Sequence, residues 1–217
     1  MQNSFSIIEF EQLSLSEKID FLDENDVSYN FEDKAYFIKF IKKNIQKSSD
    51  YWIVSSLVDL ASDLKLEDNE LFDSFMGLLV CSNHYLIKLS VLDFQVETYD
   101  IYYSKRKSSF DRLRDFNKRI KERLIVRNQM LMNLMLYDKE NRLTYLVELL
   151  ENLKRTMDYR SHMRVFNMII NHDFFSFMDK NYISRLLDIS EGKFLGKAVE
   201  DKINELKNIM NGTSAKF

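Results

Sequence analysis

The chain has 217 residues, of which 45% are hydrophobic and 30% are charged, and its formal net charge is −3. This composition is ordinary for a folded protein with a sizeable core and argues against global disorder. Proline is absent and glycine occurs four times, so the usual helix breakers are scarce and a β-rich fold with many tight turns is disfavoured. The single cysteine, Cys81, excludes an internal disulfide framework and is predicted to be a buried thiol. The sequence therefore predicts an all-α protein.

The N-terminal part of the sequence predicts three helices separated by polar turns. Ser14 and Glu17 form a capping-box pattern, in which each side chain bonds the backbone N–H of the other residue. Asn30 is placed to cap a second helix. A third helix is predicted over residues 51–64, with Trp52 among its core residues.

After a fourth helix over residues 71–81, the centre of the chain predicts one long helix over residues 83–104. Apolar residues recur there at spacings of three and four in two adjacent stripes, so this helix should pack on more than one side. The remaining strip carries Asp93, Glu97 and Asp100 at helical spacing. These carboxylates either form the solvent edge of a buried helix or line a groove that meets a cationic partner.

Charge is unevenly distributed along the sequence. Acidic residues outnumber basic ones up to about residue 80, whereas residues 105–127 contain ten basic and three acidic residues. The basic segment is either a solvated surface that pairs with the acidic part or a nucleic-acid-binding surface. In the second interpretation, Arg112, Arg114, Lys118 and Lys121 would contact the nucleic acid.

The C-terminal half predicts further helices with short connections. Residues 109–137 could form one unusually long helix or two. Additional helices are predicted over 143–153, 159–171, 174–188 and 198–210. Gly212 is placed to end the last helix, and residues 213–217 are expected to fray. Residues 1–212 are thus predicted to form a single all-α domain.

The spacing of the predicted helices carries a coarse resemblance to a known architecture. One helix pair begins at Ser49 and the next at Asn83, about 34 residues later, which is the length of a helix pair in an α-solenoid. Over roughly residues 49–188 the chain resembles HEAT-like and related α-solenoids in helix-pair length and apolar spacing, without a repeat consensus motif. The resemblance implies an irregular α-solenoid of antiparallel helical hairpins. The alternative is a compact helical bundle.

The sequence contains no motif for catalysis, metal binding or cofactor binding. Its four glycines do not form a phosphate-binding loop, and His84, His162 and His172 lack the spacing of a zinc site. We therefore expect no catalytic residues, no metal and no cofactor. An enzyme with an active site scattered through a helical bundle stays open as a third class.

These features together predict a non-catalytic protein-binding module. The concrete hypothesis is a bacterial toxin-neutralising, immunity-type protein that masks a basic toxin domain through an acidic groove. Asp93, Glu97 and Asp100 are the predicted partner contacts, together with Asp59 and Asp63. The N-terminus lacks a signal-peptide pattern and no window holds eighteen consecutive apolar residues, so a cytoplasmic location without a membrane partner is expected. The oligomeric state is not indicated.

Overall fold

The computed structural model describes residues 7–24, 31–118, 122–172, 174–194 and 197–212. These residues form twelve α-helices and two single 3₁₀ turns, and none of them lies in a strand, which confirms the all-α prediction. The helices are α1 Ile7–Gln12, α2 Leu15–Glu24, α3 Phe31–Ile45, α4 Tyr51–Asp63, α5 Asn69–Cys81, α6 Tyr85–Glu97, α7 Arg106–Asn117, α8 Leu124–Tyr137, α9 Arg142–Arg155, α10 Tyr159–Asn171, α11 Lys180–Ser190 and α12 Lys197–Met210.

The chain divides into two compact units, Met1–Ser109 and Phe110–Phe217, with the division inside α7. The two units differ in charge. The first contains 19 acidic and 11 basic residues, a net charge of −8, and the second contains 15 acidic and 20 basic residues, a net charge of +5. The single domain predicted over residues 1–212 stays a prediction, and the predicted fraying tail lies outside the described residues.

Helix starts in the first unit follow from local capping. The Ser14 N–H donates to the Glu17 carboxylate at 2.8 Å and the Glu17 N–H donates to Ser14 Oγ at 3.4 Å, which confirms the capping box. Asp50 and Asp68 cap α4 and α5 by accepting a backbone N–H from the first helical turn. The predicted cap at Asn30 lies outside the described residues.

The central helix packs as predicted on more than one side. Leu89 and Leu92 of one apolar stripe are buried, and so are Ile87, Val91 and Phe94 of the other. α6 contacts both α4 and α5, while α4 also contacts α2 and α3. The core of the first unit is therefore built around α4 and α6.

The central helix is, however, shorter than predicted. α6 ends at Glu97, and the residues that follow form turns and a 3₁₀ turn. At the helix end, the buried Thr98 hydroxyl donates to the Phe94 carbonyl at 2.5 Å, a local hydrogen bond that competes with helix continuation. The prediction of one helix over residues 83–104 is thus wrong beyond residue 97, and Asp100 lies in the turn.

Two predictions of burial in the first unit are also wrong. Trp52 is 57% exposed, and Cys81 is exposed. The buried face of α4 carries Val54, Leu57 and Val58, and the helical spacing directs the Trp52 side chain away from that face. Cys81 is the last residue of α5 and falls beyond its buried stretch.

In the second unit, helices contact neighbours that are one or two helices away in the chain. α8 packs against α9 and α10, α10 packs against α12, and α9 packs against α11. Residues 109–137 belong to two helices, α7 and α8, rather than one. Contacts between alternate helices occur both in stacked hairpins and in helical bundles, so they fit both predicted architectures.

Candidate functional site

The two central helices of the first unit lie side by side, parallel and in register. Tyr51, the first residue of α4, stacks on His84, which precedes α6, with 3.7 Å between ring centroids. At the opposite end, the hydroxyl of Tyr102, which follows α6, donates to the carbonyl of Leu66, which follows α4. Both helices are thirteen residues long. Contacts at both ends therefore require the two helices to run in the same direction.

This register places four of the five predicted partner-binding carboxylates at matching levels. Asp59 and Asp63 are the ninth and thirteenth residues of α4, and Asp93 and Glu97 are the ninth and thirteenth residues of α6. Asp59, Asp63 and Glu97 are exposed and Asp93 is half-buried. Because the helices are parallel, the C-terminal half of the pair carries all four carboxylates. We call these four residues the carboxylate group.

Asp100 does not continue this group along the helix. It lies in the turn after α6, where its carboxylate pairs with Arg106 Nη2 at 2.5 Å. Arg106 also donates to the Tyr99 carbonyl at 3.0 Å and stacks 4.1 Å above the Tyr99 ring. The Asp100 side chain is 94% exposed, and an ion pair so exposed stabilises by at most about 1 kcal/mol. Its role in partner binding stays a prediction.

Sequence reasoning missed the aromatic residues at the other end of α4. Trp52 is followed seven and eleven residues later by Asp59 and Asp63, which places all three on one face of the helix. Tyr51, beside Trp52, is 46% exposed and is held by its stack on His84. The available signal was the apolar spacing of α4, which excludes Trp52 from the buried face.

Arg114, one of the predicted nucleic-acid contacts, is exposed but forms an ion pair with Asp138 within the second unit. The buried carboxylate of Asp138 accepts hydrogen bonds from Arg114 Nη2 at 2.7 Å, from the Tyr145 hydroxyl at 2.7 Å and from the Asn141 amide. Burial alone would raise the pKa of Asp138, but these hydrogen bonds outweigh it and hold the pKa below its ordinary value. The guanidinium therefore connects α7 to the turn between α8 and α9.

Two other predicted nucleic-acid contacts, Arg112 and Lys118, lie at the surface of the second unit. Arg112 is exposed on α7 and Lys118 is exposed in the turn that follows it, where Lys118 pairs with Asp115 at 3.2 Å. Lys121 lies outside the described residues. The basic surface stays a prediction.

His162 and Ser190 form a buried pair in the second unit. His162 Nδ1 lies 2.6 Å from Ser190 Oγ, and the Ser190 hydroxyl donates to the Leu186 carbonyl at 3.1 Å. A hydroxyl has one hydrogen, so with that hydrogen donated to Leu186 the Ser190 oxygen accepts from the imidazole in the tautomer protonated at Nδ1. Burial lowers the pKa of His162 to about 4.

The described residues add neither a metal site nor a membrane-spanning helix to these features. Among the described side chains, no group of three or more His, Cys, Asp or Glu residues is placed to hold a metal ion. Each helix within the described ranges falls short of the length and apolarity needed to cross a membrane. Comparison of the chain with protein-family models, curated proteins and solved structures found no match. Function must therefore be inferred from the geometry of the molecule itself.

Proposed function

We propose that the chain is a non-catalytic, cytoplasmic protein-binding module, most concretely a bacterial immunity-type protein that neutralises a toxin by masking its basic domain. The carboxylate group is the binding surface, with Asp100 at its margin. The observation that carries this proposal is the pair of parallel helices, α4 and α6, which places four carboxylates at matching levels. In this proposal the hairpins stack as an irregular, HEAT-like solenoid, an architecture that offers extended binding surfaces.

The charge of the first unit supports a basic partner. Its net charge of −8 creates a potential that attracts cationic surfaces and speeds their association. Carboxylates on two adjacent rigid helices keep a fixed spacing, so they can match a fixed pattern of Lys and Arg on a folded partner. Tight, selective masking of one basic protein is the result expected from these two properties.

The exposed aromatic residues of α4 support a protein partner in particular. Interfaces draw much of their binding energy from a few aromatic anchors, among which Trp is enriched. Trp52 lies on the same helix face as Asp59 and Asp63, about 10 Å from Asp59 at 1.5 Å per residue. An apolar anchor beside carboxylates suits a protein surface that has both basic and apolar parts.

The proposal is tested by comparing the proteins captured by the wild type with those captured by a charge-reversed variant. The tagged protein is recovered from its native cell at moderate salt, and bound proteins are identified by mass spectrometry. In the variant, all four residues of the carboxylate group are replaced by lysine. The matched control makes the same change of charge at four exposed acidic residues elsewhere: Asp20, Asp111, Glu140 and Asp201.

We expect one stoichiometric basic protein with the wild type and the control, and none with the charge-reversed variant. Circular dichroism should show that both variants keep their helical content. Expression of the captured protein alone should arrest growth, and coexpression of the wild type, but not the charge-reversed variant, should restore it. Equal capture by the charge-reversed variant would show that this surface is not the binding site.

The alternative proposal is a nucleic-acid-binding or regulatory helical protein. It is favoured by the net charge of +5 of the second unit and by the exposure of Arg112 and Lys118. Fluorescence anisotropy with labelled DNA and RNA at low and physiological salt tests it, because phosphate contacts weaken steeply as salt rises. The absence of binding at low salt would remove this alternative.

A further inference from the structure

A cleft in the first unit gathers lysines in an otherwise acidic part of the chain. It has a volume of about 420 Å³ and lies between α2, α3 and the end of α1, where Glu11, Lys18, Tyr36, Lys39, Phe40 and Lys43 line it. Its volume falls in the range of small-molecule sites. None of these residues belongs to the carboxylate group, so the cleft is independent of the proposed protein-binding surface.

The lysines of the cleft repel one another in the absence of an anion. Lys39 and Lys43 are exposed and four residues apart on α3, so their ammonium groups lie on one helix face, an arrangement that is unfavourable for like charges. Lys18 faces them from α2, where it donates to the backbone carbonyl of Glu11 at 3.1 Å. No carboxylate among the described residues pairs with any of the three lysines. An anion in the cleft would relieve this repulsion.

The one carboxylate that lines the cleft is already engaged. Glu11 accepts a hydrogen bond from the Tyr36 hydroxyl. Burial raises the pKa of Tyr36, and the hydrogen bond and charge of Glu11 raise it further, so the phenol keeps its proton. The cleft therefore has three cations against one carboxylate, within a unit whose net charge is negative.

An aromatic wall lies beside the lysines. The rings of Tyr36 and Phe40, one turn apart on α3, are nearly parallel at 9°, with 6.3 Å between centroids. Phe10 meets Phe40 edge to face at 5.6 Å and so supports it from behind. Phe40 is only 8% exposed, so the half-buried Tyr36 provides the ring of this wall that a ligand can reach, and one accessible ring suits a planar base.

We propose that this cleft binds an organic phosphate of the nucleotide class. Its phosphate would lie between Lys39, Lys43 and Lys18, since lysine binds phosphate as a point charge. Its planar base would lie against Tyr36, whose ring contacts Phe10 and Phe40. The cleft thus provides the two features that such a ligand needs, a cationic end and an aromatic side.

Isothermal titration with ATP, in buffer without magnesium, tests the proposal. The test variant carries Lys39→Ala and Lys43→Ala. The matched control carries Lys34→Ala and Lys47→Ala. Lys34 lies in α3 and Lys47 follows it, and neither lines the cleft. We expect saturable one-to-one binding by the wild type and the control, and binding weakened at least about tenfold in the test variant. ATP should also raise the melting temperature of the wild type and the control by more than it raises that of the test variant.

Three results would overturn the proposal. The first is a failure of the binding test itself. Either the wild type shows no saturable ATP binding up to roughly 1 mM, or ATP binding is weakened equally in the test variant and in the control. The second is binding of pyrophosphate as tight as that of ATP, which would remove the role of the aromatic wall. The third is tighter binding of a short 5′-phosphorylated oligonucleotide than of ATP, which would replace a small ligand by a nucleic-acid end.

Discussion

Replacing His162 with glutamine should make the protein less sensitive to acid. The imidazole is fully buried, and desolvation lowers its pKa from an ordinary value of 6.5 to about 4. Between these two values the unfolded chain binds a proton at His162 that the folded chain excludes. The free energy of unfolding therefore falls as the pH drops through 6.5, and this loss is complete only below about pH 4.

The size of the effect follows from the two pKa values. Between about pH 7.5 and about pH 4.5, His162 alone should lower the free energy of unfolding by about 2.5 kcal/mol, approaching about 3 kcal/mol at lower pH. Glutamine does not titrate, so this part of the acid sensitivity should disappear in His162→Gln. Every other ionisable group contributes equally to the wild type and the variant.

Urea unfolding followed by circular dichroism at both pH values measures this difference. The matched control is Ser190→Ala, which removes the acceptor of the imidazole N–H at a cost of about 1–3 kcal/mol but keeps the titrating group. The control should be less stable at both pH values and still sensitive to acid. If His162→Gln and the wild type lose equal stability between the two pH values, the reasoning from burial is refuted.

Three further predictions follow from the structure. Asp138→Asn should lower the free energy of unfolding by about 1–3 kcal/mol, because it weakens the hydrogen bonds that the buried carboxylate accepts from Arg114 and Tyr145. The Arg114 side chain is 43% exposed, so water solvates its charge in the variant. Asp115→Asn, which removes an exposed ion pair, should cost at most about 1 kcal/mol, and thermal unfolding compares the two variants. Trp52→Ala should change stability by no more than about 0.5 kcal/mol and weaken binding of the captured partner by about 2 kcal/mol, and unchanged affinity would exclude Trp52 from the interface. Cys81 should react fully with a thiol reagent in the folded protein, and protection until urea is added would contradict its exposure.

Some features of this protein were determined by the sequence through local interactions alone. The absence of proline and the helical spacing of apolar residues predict an all-α fold, and the fold is all-α. The capping box at Ser14 forms as predicted, and α10 occupies the predicted residues 159–171. These features depend on interactions within one or two helical turns. They can be predicted because the interacting residues are close together in the sequence.

Other features were decided only by tertiary structure. The levels shared by Asp59 and Asp93 depend on the parallel packing of α4 and α6, and the exposure of Trp52 depends on which face of α4 the neighbouring helices cover. The pKa of His162 depends likewise on burial and on the charge of Lys193, which lies thirty-one residues further along the chain. The periodicity of apolar residues shows that a helix has two faces. Which residues of a helix are buried depends on contacts with residues distant in sequence. Desolvation of a group, and therefore its pKa, depends on all of its neighbours in space.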